Sequence, residues 1–461
     1  MTDSGVALSR VRPRAIPHTL FAGMAAFLIA GIHGTAPEFV YDAAQYWGGA
    51  VALVAGESPV LPGSLPTRGV LTTLVYLVPA LVTAAIGPSS TVWTVLVWNA
   101  AVGAVVAAVL LPRLAGVFSS DPSAPPPALR VWVSALLGGF LISGFAPFPL
   151  VDISSVALAL AGFYGLVAGR RWWAFCLAGL ALTAAVNLRP GMIAPILLAI
   201  GVLLIAHPRA VALAVPGVLV GFLPQVMLNV RVWAQWSPVP PETIPLSSVQ
   251  AGPAPYTLRY DTVAFADQRP QQWYCDPAYA AQLVSDPVSH NQFGVVASAF
   301  QHLPDSLWFM TRKAAANLHW SFATPYENSP GEGSLVMALL VIAVSAFGVV
   351  ALVRAAIRAR SDRRRLVTTL AMIGFWSGAL GTLIFSTPET RFALPLVLVG
   401  LIGVVATVPA TARFSAPSRG TVVAVACGLV LTVALFLAGV EALTHALPPG
   451  PVIDAADCAT R

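Results

Sequence analysis

Residues 70–87 read VLTTLVYLVPALVTAAIG, an uncharged apolar run that is just long enough to cross a bilayer. A transmembrane helix needs about 20 apolar residues, within a range of about 17–25. Whether this run crosses decides on which side of the membrane every later charged residue lies. It therefore decides the fold.

The composition around this run indicates that lipid surrounds much of the chain. Of 461 residues, 57% are hydrophobic and only 10% are charged, against about 25% charged in a soluble domain. The mean hydropathy is +0.79. A soluble protein with so few charges could not cover its own surface, so the soluble, disordered and disulfide-scaffold classes are excluded.

Twelve apolar runs follow one another along the chain. They are 17–36, 70–87, 91–111, 130–148, 150–168, 174–188, 191–206, 210–232, 334–353, 367–386, 392–411 and 421–443. Cytoplasmic loops carry an excess of arginine and lysine, so the arginines test which runs cross. If 70–87 crosses, Arg113, Arg170 and the run from Arg354 to Arg365 lie outside. If 70–87 lies in the interface instead, sixteen of the 25 basic residues lie inside, with only three of the 19 acids.

The second arrangement is predicted because it obeys the positive-inside rule. It gives an all-α polytopic membrane protein with about 11 transmembrane helices, juxtamembrane helices and one large external loop. The predicted parts are an N-terminal transmembrane module (1–232) with an external catalytic loop (37–90), an external region (233–333), C-terminal transmembrane helices (334–443) and an external tail (444–461).

The termini and the membrane follow from the same charges. Arg10, Arg12 and Arg14 precede the first apolar run, which predicts an uncleaved signal anchor with its N-terminus in the cytoplasm and the C-terminus outside. Lys313 is the only lysine among the basic residues. This bias is typical of a high-GC bacterial genome and indicates a bacterial cytoplasmic membrane. Nucleic-acid binding is not expected, because the basic residues form short clusters between apolar spans.

The sequence also makes predictions for the pair of runs in 174–206, for the segment 303–322 and for two cysteines. The runs 174–188 and 191–206 are short and are either two crossings or a broken pair. Residues 303–322 read as an amphipathic helix on the membrane surface. One face carries Leu307, Met310, Ala314, Leu318 and Phe322, and Arg312 and Lys313 lie on another. Cys275 and Cys458 are both predicted outside, where they form a disulfide or remain two free thiols.

The first external loop carries the first candidate for catalysis. Asp42 follows Tyr41 and opens an apparent helix over 42–55, which also contains Tyr46. A carboxylate there is either a helix cap or a general base at the membrane face. Arg68, just before the 70–87 run, is either a snorkelling arginine or a phosphate contact.

Four more charged residues belong to the candidate site. Asp152 starts an apolar span and is either a helix cap or a group that points into the same cavity as Asp42. Arg189 lies in an apolar stretch, where an arginine is costly and indicates a functional site; its partner is an acid such as Asp152 or a ligand phosphate. Glu389 and Arg391 lie in an external turn, where they form a surface salt bridge or a phosphate site.

Motifs of soluble enzymes are absent from the sequence. It has no P-loop, dinucleotide fingerprint, HExxH or CxxC motif, and no histidine pair has zinc spacing. No cofactor is therefore certain. A divalent metal shared by Asp42 and Asp152 stays open.

The ordered set of these motifs resembles the GT-C superfamily of polytopic glycosyltransferases, near the bacterial branch related to protein mannosyltransferases and aminoarabinose transferases. Landmarks occur in the family's order over nearly the whole chain. They are the loop 41–47, the juxtamembrane segment 62–87, Asp152-Ile153, Leu188-Arg189-Pro190, Pro224 to Arg231, the 303–322 helix and Glu389 to Pro395. Family members often show two adjacent acids in the first loop, and here Tyr41 takes one of those places.

The resemblance implies transfer of a sugar from a polyprenyl-phosphate donor to a glycan, lipid or protein acceptor outside the membrane, with inversion. Asp42 would deprotonate the acceptor hydroxyl, and Arg189, Arg391 and Arg68 would hold the lipid phosphate. The rival functions are a transporter or flippase of lipid-linked sugars, a polysaccharide polymerase or ligase, and a non-catalytic scaffold. Sixteen of the 19 acids are predicted outside, which favours chemistry at that face over a midplane transport path.

Overall fold

The computed structural model describes most of the chain. The described residues are 15–36, 38–39, 41–58, 60, 68–118, 126–242, 254–260, 272–285, 291–320, 334–409, 418–444 and 458–459. The N-terminal arginines, Phe322 and most of the 444–461 tail lie outside these ranges.

The described chain is almost entirely helical. Up to residue 233 its helices are α1 (Ala15–Ala30), α2 (Tyr41–Val54), α3 (Leu71–Leu74), α4 (Leu77–Ile86), α5 (Thr91–Val105), α6 (Leu111–Val117), α7 (Ala128–Ser143), α8 (Asp152–Ala168), α9 (Trp172–Leu188), α10 (Ile193–Leu203) and α11 (Pro208–Trp233). A π-helical turn, Val106–Leu110, joins α5 to α6. Short 3-10 turns are Pro88–Ser90, Pro190–Met192 and Thr390–Ala393.

The second half has a region of two strands and three helices, followed by four apolar helices. Its elements are β1 (Tyr256–Tyr260), β2 (Gln272–Cys275), α12 (Pro277–Ser285), α13 (Gln292–Gln301), α14 (Asp305–Asn317), α15 (Ser334–Arg358), α16 (Arg363–Ile384), α17 (Leu394–Thr407) and α18 (Arg419–Ala442). The all-α prediction misses one detail, because β1 and β2 pair antiparallel with Tyr256 opposite Cys275.

Six helices among the described residues are long and apolar enough to cross a membrane. They are Pro88–Val117, Pro208–Trp233, Leu335–Arg358, Arg363–Ile384, Thr390–Thr407 and Arg419–Ala442. Six shorter apolar helices are Pro17–Ala30, Leu77–Ile86, Ala128–Ser143, Asp152–Ala168, Trp172–Leu188 and Pro190–Leu203. The chain is thus a helical, multi-pass membrane protein, as predicted. The count of about 11 crossings stays a prediction.

The decisive run 70–87 forms α3 and α4 rather than one long helix. The longer of the two, α4, has 10 residues, and at 1.5 Å per residue it extends only about 15 Å. The hydrocarbon core of a bilayer is about 30 Å thick. The run is therefore not one continuous helix, and its juxtamembrane position stays a prediction.

Helix α17 lies at the centre of the core. Its side chains are buried on all sides, including Leu396, Val399 and Ile402, as expected for a helix that is apolar all round. Helices α11 and α18 lie at the periphery and expose large apolar side chains such as Leu219 and Val430. Such exposed apolar surface requires lipid around it.

The chain 174–206, which the sequence left open, consists of two helices that diverge. Arg189 has an extended backbone between α9 and the turn that starts at Pro190, because a proline disfavours helical geometry in the residue before it. Helix α9 packs against α8 and α11, whereas α10 packs against α16. The backbone break thus leaves Arg189 at the point of divergence.

The predicted amphipathic helix 303–322 is present as the shorter α14, but its faces differ from the prediction. Lys313 is fully buried, whereas Leu307 and Trp308 are exposed. The side chain of Lys313 is therefore more buried than that of Leu307 on the predicted apolar face. Its amine is buried because the polar partners come from elsewhere in the fold: Lys313 Nζ donates to Ala254 O at 2.8 Å and to Ser386 O at 2.9 Å.

Candidate functional site

The starts and ends of helices bring the predicted polar residues together. Asp42 lies in the first turn of α2, the predicted 42–55 helix. Asp152 begins α8 and Arg189 follows the end of α9. Glu389 and Arg391 lie in the turn between α16 and α17. These helix starts and ends lie at the same side of the bundle. Asp42 and Arg391 therefore come into contact although they are 349 positions apart in the chain.

The Asp42 carboxylate lies between two guanidinium groups. Arg391 Nη2 donates to Asp42 Oδ2 at 2.7 Å, and Arg68 Nη2 lies 3.7 Å from the same oxygen. The side chains of Arg68 and Asp42 are 21% and 23% exposed. Asp42 therefore does more than cap a helix, and a ligand can reach it.

Arg391 is held by a second carboxylate. Its Nε donates to Glu389 Oε2 at 2.6 Å, and both side chains are buried. The expected surface salt bridge is thus a buried one. Hydrogen bonds between ionised groups are strong and directional, so Glu389 fixes the guanidinium while its Nη2 points at Asp42.

Arg189 pairs with Asp152, one of the two partners that the sequence allowed. The carboxylate of Asp152 accepts a hydrogen bond from Arg189 Nη1. The Arg189 guanidinium carbon also lies 4.1 Å from the centroid of the Phe392 ring, and that of Arg391 lies 5.2 Å from it. One aromatic ring thus contacts both guanidiniums, an arrangement that cation–π attraction stabilises.

Tyr46 contacts Arg68 through a hydrogen bond. Arg68 Nε donates to the Tyr46 hydroxyl at 3.2 Å. Burial and the neighbouring Asp42 carboxylate raise the pKa of Tyr46 to about 12, so the phenol keeps its proton at neutral pH and its oxygen accepts from Arg68.

These contacts define the Asp42 cluster. Its members are Asp42, Tyr46, Arg68, Asp152, Arg189, Glu389 and Arg391. Of the predicted site residues, Tyr41 begins α2, and its side chain lies outside the described residues.

Three buried amides that sequence reasoning missed hold the segment before α3. Asn187 Oδ1 accepts from the backbone of Leu71 at 3.0 Å, and Gln225 Oε1 accepts from Val70 at 2.8 Å. Gln225 in turn donates to Asn229 at 2.8 Å. The available signal was the presence of amides within apolar spans, where polar groups need partners. These contacts position Arg68.

Two residues in or just after α14, also missed as functional, hold the turn that carries Arg391. Trp320, just after α14, donates from Nε1 to Thr390 O at 3.0 Å. Lys313 donates to Ser386 O, at the start of the same turn. The region around α14 is therefore connected directly to the site.

A small, partly open crevice adjoins Arg189. Its lining residues are Arg189, Gly191, Met192, Pro195, Ala379, Thr382, Phe392 and Pro395. Most of these walls are apolar, and the guanidinium lies at one end. A molecule with an apolar chain and an anionic head has the matching chemistry.

Among the described residues, no group of three or more His, Cys, Asp or Glu side chains is arranged to hold a metal ion. The carboxylates proposed to share an ion, Asp42 and Asp152, each contact a guanidinium instead. Away from the cluster, Cys275 and Cys458 are joined by a disulfide.

Comparisons with family models, curated proteins and solved structures found no match to this chain. Function is therefore argued from the cluster alone: a reachable carboxylate beside guanidiniums can accept a proton, and guanidiniums can bind a phosphate.

Proposed function

We propose that this protein is a membrane glycosyltransferase of the GT-C type that moves a sugar from a polyprenyl-phosphate donor to an acceptor at the external face. The observation that carries the proposal is the position of Asp42. It is a reachable carboxylate between Arg391 and Arg68, and the cluster continues through the Phe392 ring to the apolar crevice at Arg189.

The chemistry assigns one task to each part of the cluster. Asp42 accepts the proton of the acceptor hydroxyl, whose oxygen attacks the anomeric carbon. The bond between that carbon and the phosphate oxygen breaks, and the lipid phosphate leaves with the electron pair. Arg391, Arg189 and Arg68 stabilise its charge. Attack opposite to the leaving group inverts the anomeric centre.

The proposal includes eleven crossings and an external site in a bacterial cytoplasmic membrane. Two observations support this sidedness. The disulfide between Cys275 and Cys458 belongs to an oxidising compartment. Arginines predicted in the cytoplasm bond carbonyls at other helix ends: Arg365 donates to Phe118 O at 2.8 Å, and Arg130 donates to Val408 O at 2.8 Å.

The test is Asp42→Asn in membranes, which contain the acceptor, supplied with radiolabelled polyprenyl-phosphate mannose and a panel of related pentose and hexose donors. We expect the variant to transfer sugar at least about 100-fold more slowly, because general base catalysis contributes about 10²–10⁴-fold. Release of polyprenyl phosphate and labelled product are both measured.

The matched control is Glu57→Gln, an exposed carboxylate just beyond the end of α2, which should keep the wild-type rate. Transfer by a folded Asp42→Asn variant at the wild-type rate would show that Asp42 is not the base. If the wild type moves the donors across proteoliposomes without releasing polyprenyl phosphate, it is a flippase. A ladder of products would assign it to the polymerases.

A further inference from the structure

We infer that the donor phosphate and Asp42 compete for the same guanidinium donors, so that phosphate binding releases the carboxylate that acts as base. The inference rests on the proposed function and deepens it: it predicts that the anionic donor binds before the acceptor is activated. The geometry at Asp42 Oδ2 is its starting point.

The proposed base, Asp42, contacts two guanidinium groups. The oxygen Asp42 Oδ2 accepts from Arg391 Nη2 at 2.7 Å and has Arg68 Nη2 at 3.7 Å. A guanidinium hydrogen bond stabilises the ionised carboxylate, so Asp42 is a weaker base while this contact persists. Proton transfer requires the acceptor hydroxyl within hydrogen-bond reach of the base. Loss of the contact with Arg391 therefore makes Asp42 a stronger base.

The guanidinium of Arg391 is fixed, and Asp42 is the partner that can leave. Glu389 holds Arg391 through Nε at 2.6 Å, and both of these side chains are buried. Asp42 and Arg68 instead form the partly exposed edge of the cluster. An anion that enters from the exposed edge therefore approaches Arg391 Nη2, the atom that now donates to Asp42. To bind there, the anion displaces the Asp42 carboxylate.

A phosphate is the anion suited to this exchange. Guanidiniums bind phosphate and carboxylate oxygens with the same planar donor geometry, so a phosphate oxygen can replace Asp42 Oδ2 at Arg391. The described cluster has three carboxylates and three guanidiniums, so its formal charges cancel. The phosphate adds negative charge, which favours protonation of a neighbouring carboxylate. The released Asp42 is then positioned to take the proton of an acceptor.

The competition predicts that one substitution increases phosphate affinity and at the same time abolishes sugar transfer. If Asp42 competes with phosphate, its neutral isostere should strengthen phosphate binding while it abolishes transfer. We expect Asp42→Asn in nanodiscs to bind a fluorescent polyprenyl monophosphate at least about threefold more tightly than the wild type. Glu57→Gln should bind as the wild type does. Arg68→Gln and Arg391→Gln should each bind at least about tenfold more weakly, because each loses a charged donor.

The outcomes separate this inference from the proposed function. Equal or weaker binding by an Asp42→Asn variant that melts near the wild-type temperature overturns the competition, even if transfer is lost. Failure of the wild type to bind the lipid overturns the lipid-donor proposal instead. Inorganic phosphate is titrated in parallel, and an affinity equal to that of the lipid would assign the site to free phosphate and overturn a lipid donor.

Discussion

At the scale of single residues, the sole lysine of the chain is the most unexpected. Lys313 is fully buried, and its nitrogen donates to two carbonyl oxygens, Ala254 O and Ser386 O. A neutral amine has two N–H donors, and the two carbonyls accept both. Burial lowers the pKa of Lys313 well below its usual 10.5. The uncharged form therefore suits the site better than the ammonium.

Comparison of the wild type with Lys313→Met at several pH values tests whether Lys313 is uncharged in the folded protein. Between the lowered pKa of folded Lys313 and the value of about 10.5 in the unfolded chain, the unfolded state binds more protons. Stability should therefore rise with pH across this window, by up to about 1.4 kcal/mol per pH unit. We expect the melting temperature of the wild type, relative to that of Lys313→Met, to rise from pH 7 to pH 10. A difference that stays constant with pH would contradict a neutral lysine.

At the scale of elements, the contact of α15 with α17 depends on glycine. A Cβ at Gly348 would lie 1.9 Å from Gly400 O, and one at Gly403 would lie 2.1 Å from Gly348 O. Small residues allow the backbones of membrane helices to approach this closely. Since α17 begins directly after the turn that carries Arg391, the spacing of these helices also positions the site.

Gly348→Ala should separate α15 from α17. The atoms that it would meet belong to the backbone and cannot rotate away, so we expect a loss of about 1–3 kcal/mol in unfolding free energy, with a lower melting temperature and slower sugar transfer. The matched control is Gly381→Ala in α16, where an added Cβ meets nothing within 4 Å. Equal melting temperatures for the two variants would contradict the packing argument.

The element scale also shows what the sequence could predict. Hydropathy located the apolar helices, and the acid at 42 marked the start of α2, because both depend on local composition. The sequence allowed Asp152 or a phosphate as the partner of Arg189 without deciding between them, and it indicated no partner for Lys313, because these contacts depend on distant chain segments. Arg189 was recognised because a charge in an apolar run is conspicuous, whereas Lys313 lies in a polar helix where a lysine is ordinary.

At the scale of the whole molecule, an arginine-rich end and the Asp42 cluster lie at opposite ends of helix α16. Helix α16 runs from Arg363 to Ile384, at the start of the turn that carries Arg391. Its 22 residues extend about 33 Å. The arginine-rich ends of α15 and α16 therefore lie a bilayer thickness away from the Asp42 cluster. The sequence predicts the arginines and the site on opposite sides of the membrane, and this distance is compatible with that prediction.

Cysteine labelling in intact cells tests which end faces outward. In a Cys176→Ser, Cys427→Ser background, we expect a membrane-impermeant maleimide to label Glu441→Cys, at the end of α18, without permeabilisation. Arg358→Cys, exposed at the end of α15, should be labelled only after permeabilisation. The reverse pattern would invert the proposed orientation and place the cluster in the cytoplasm.

The bond between Cys275 and Cys458 makes part of the molecule a covalent ring. The two cysteines are 183 positions apart, so the ring encloses the chain from α12 through α18. Arg360, between α15 and α16, and Arg363, at the start of α16, lie within it and offer trypsin cleavage sites. One cut there opens the ring without separating its parts, so the nicked protein should migrate as one band until a reductant divides it into two.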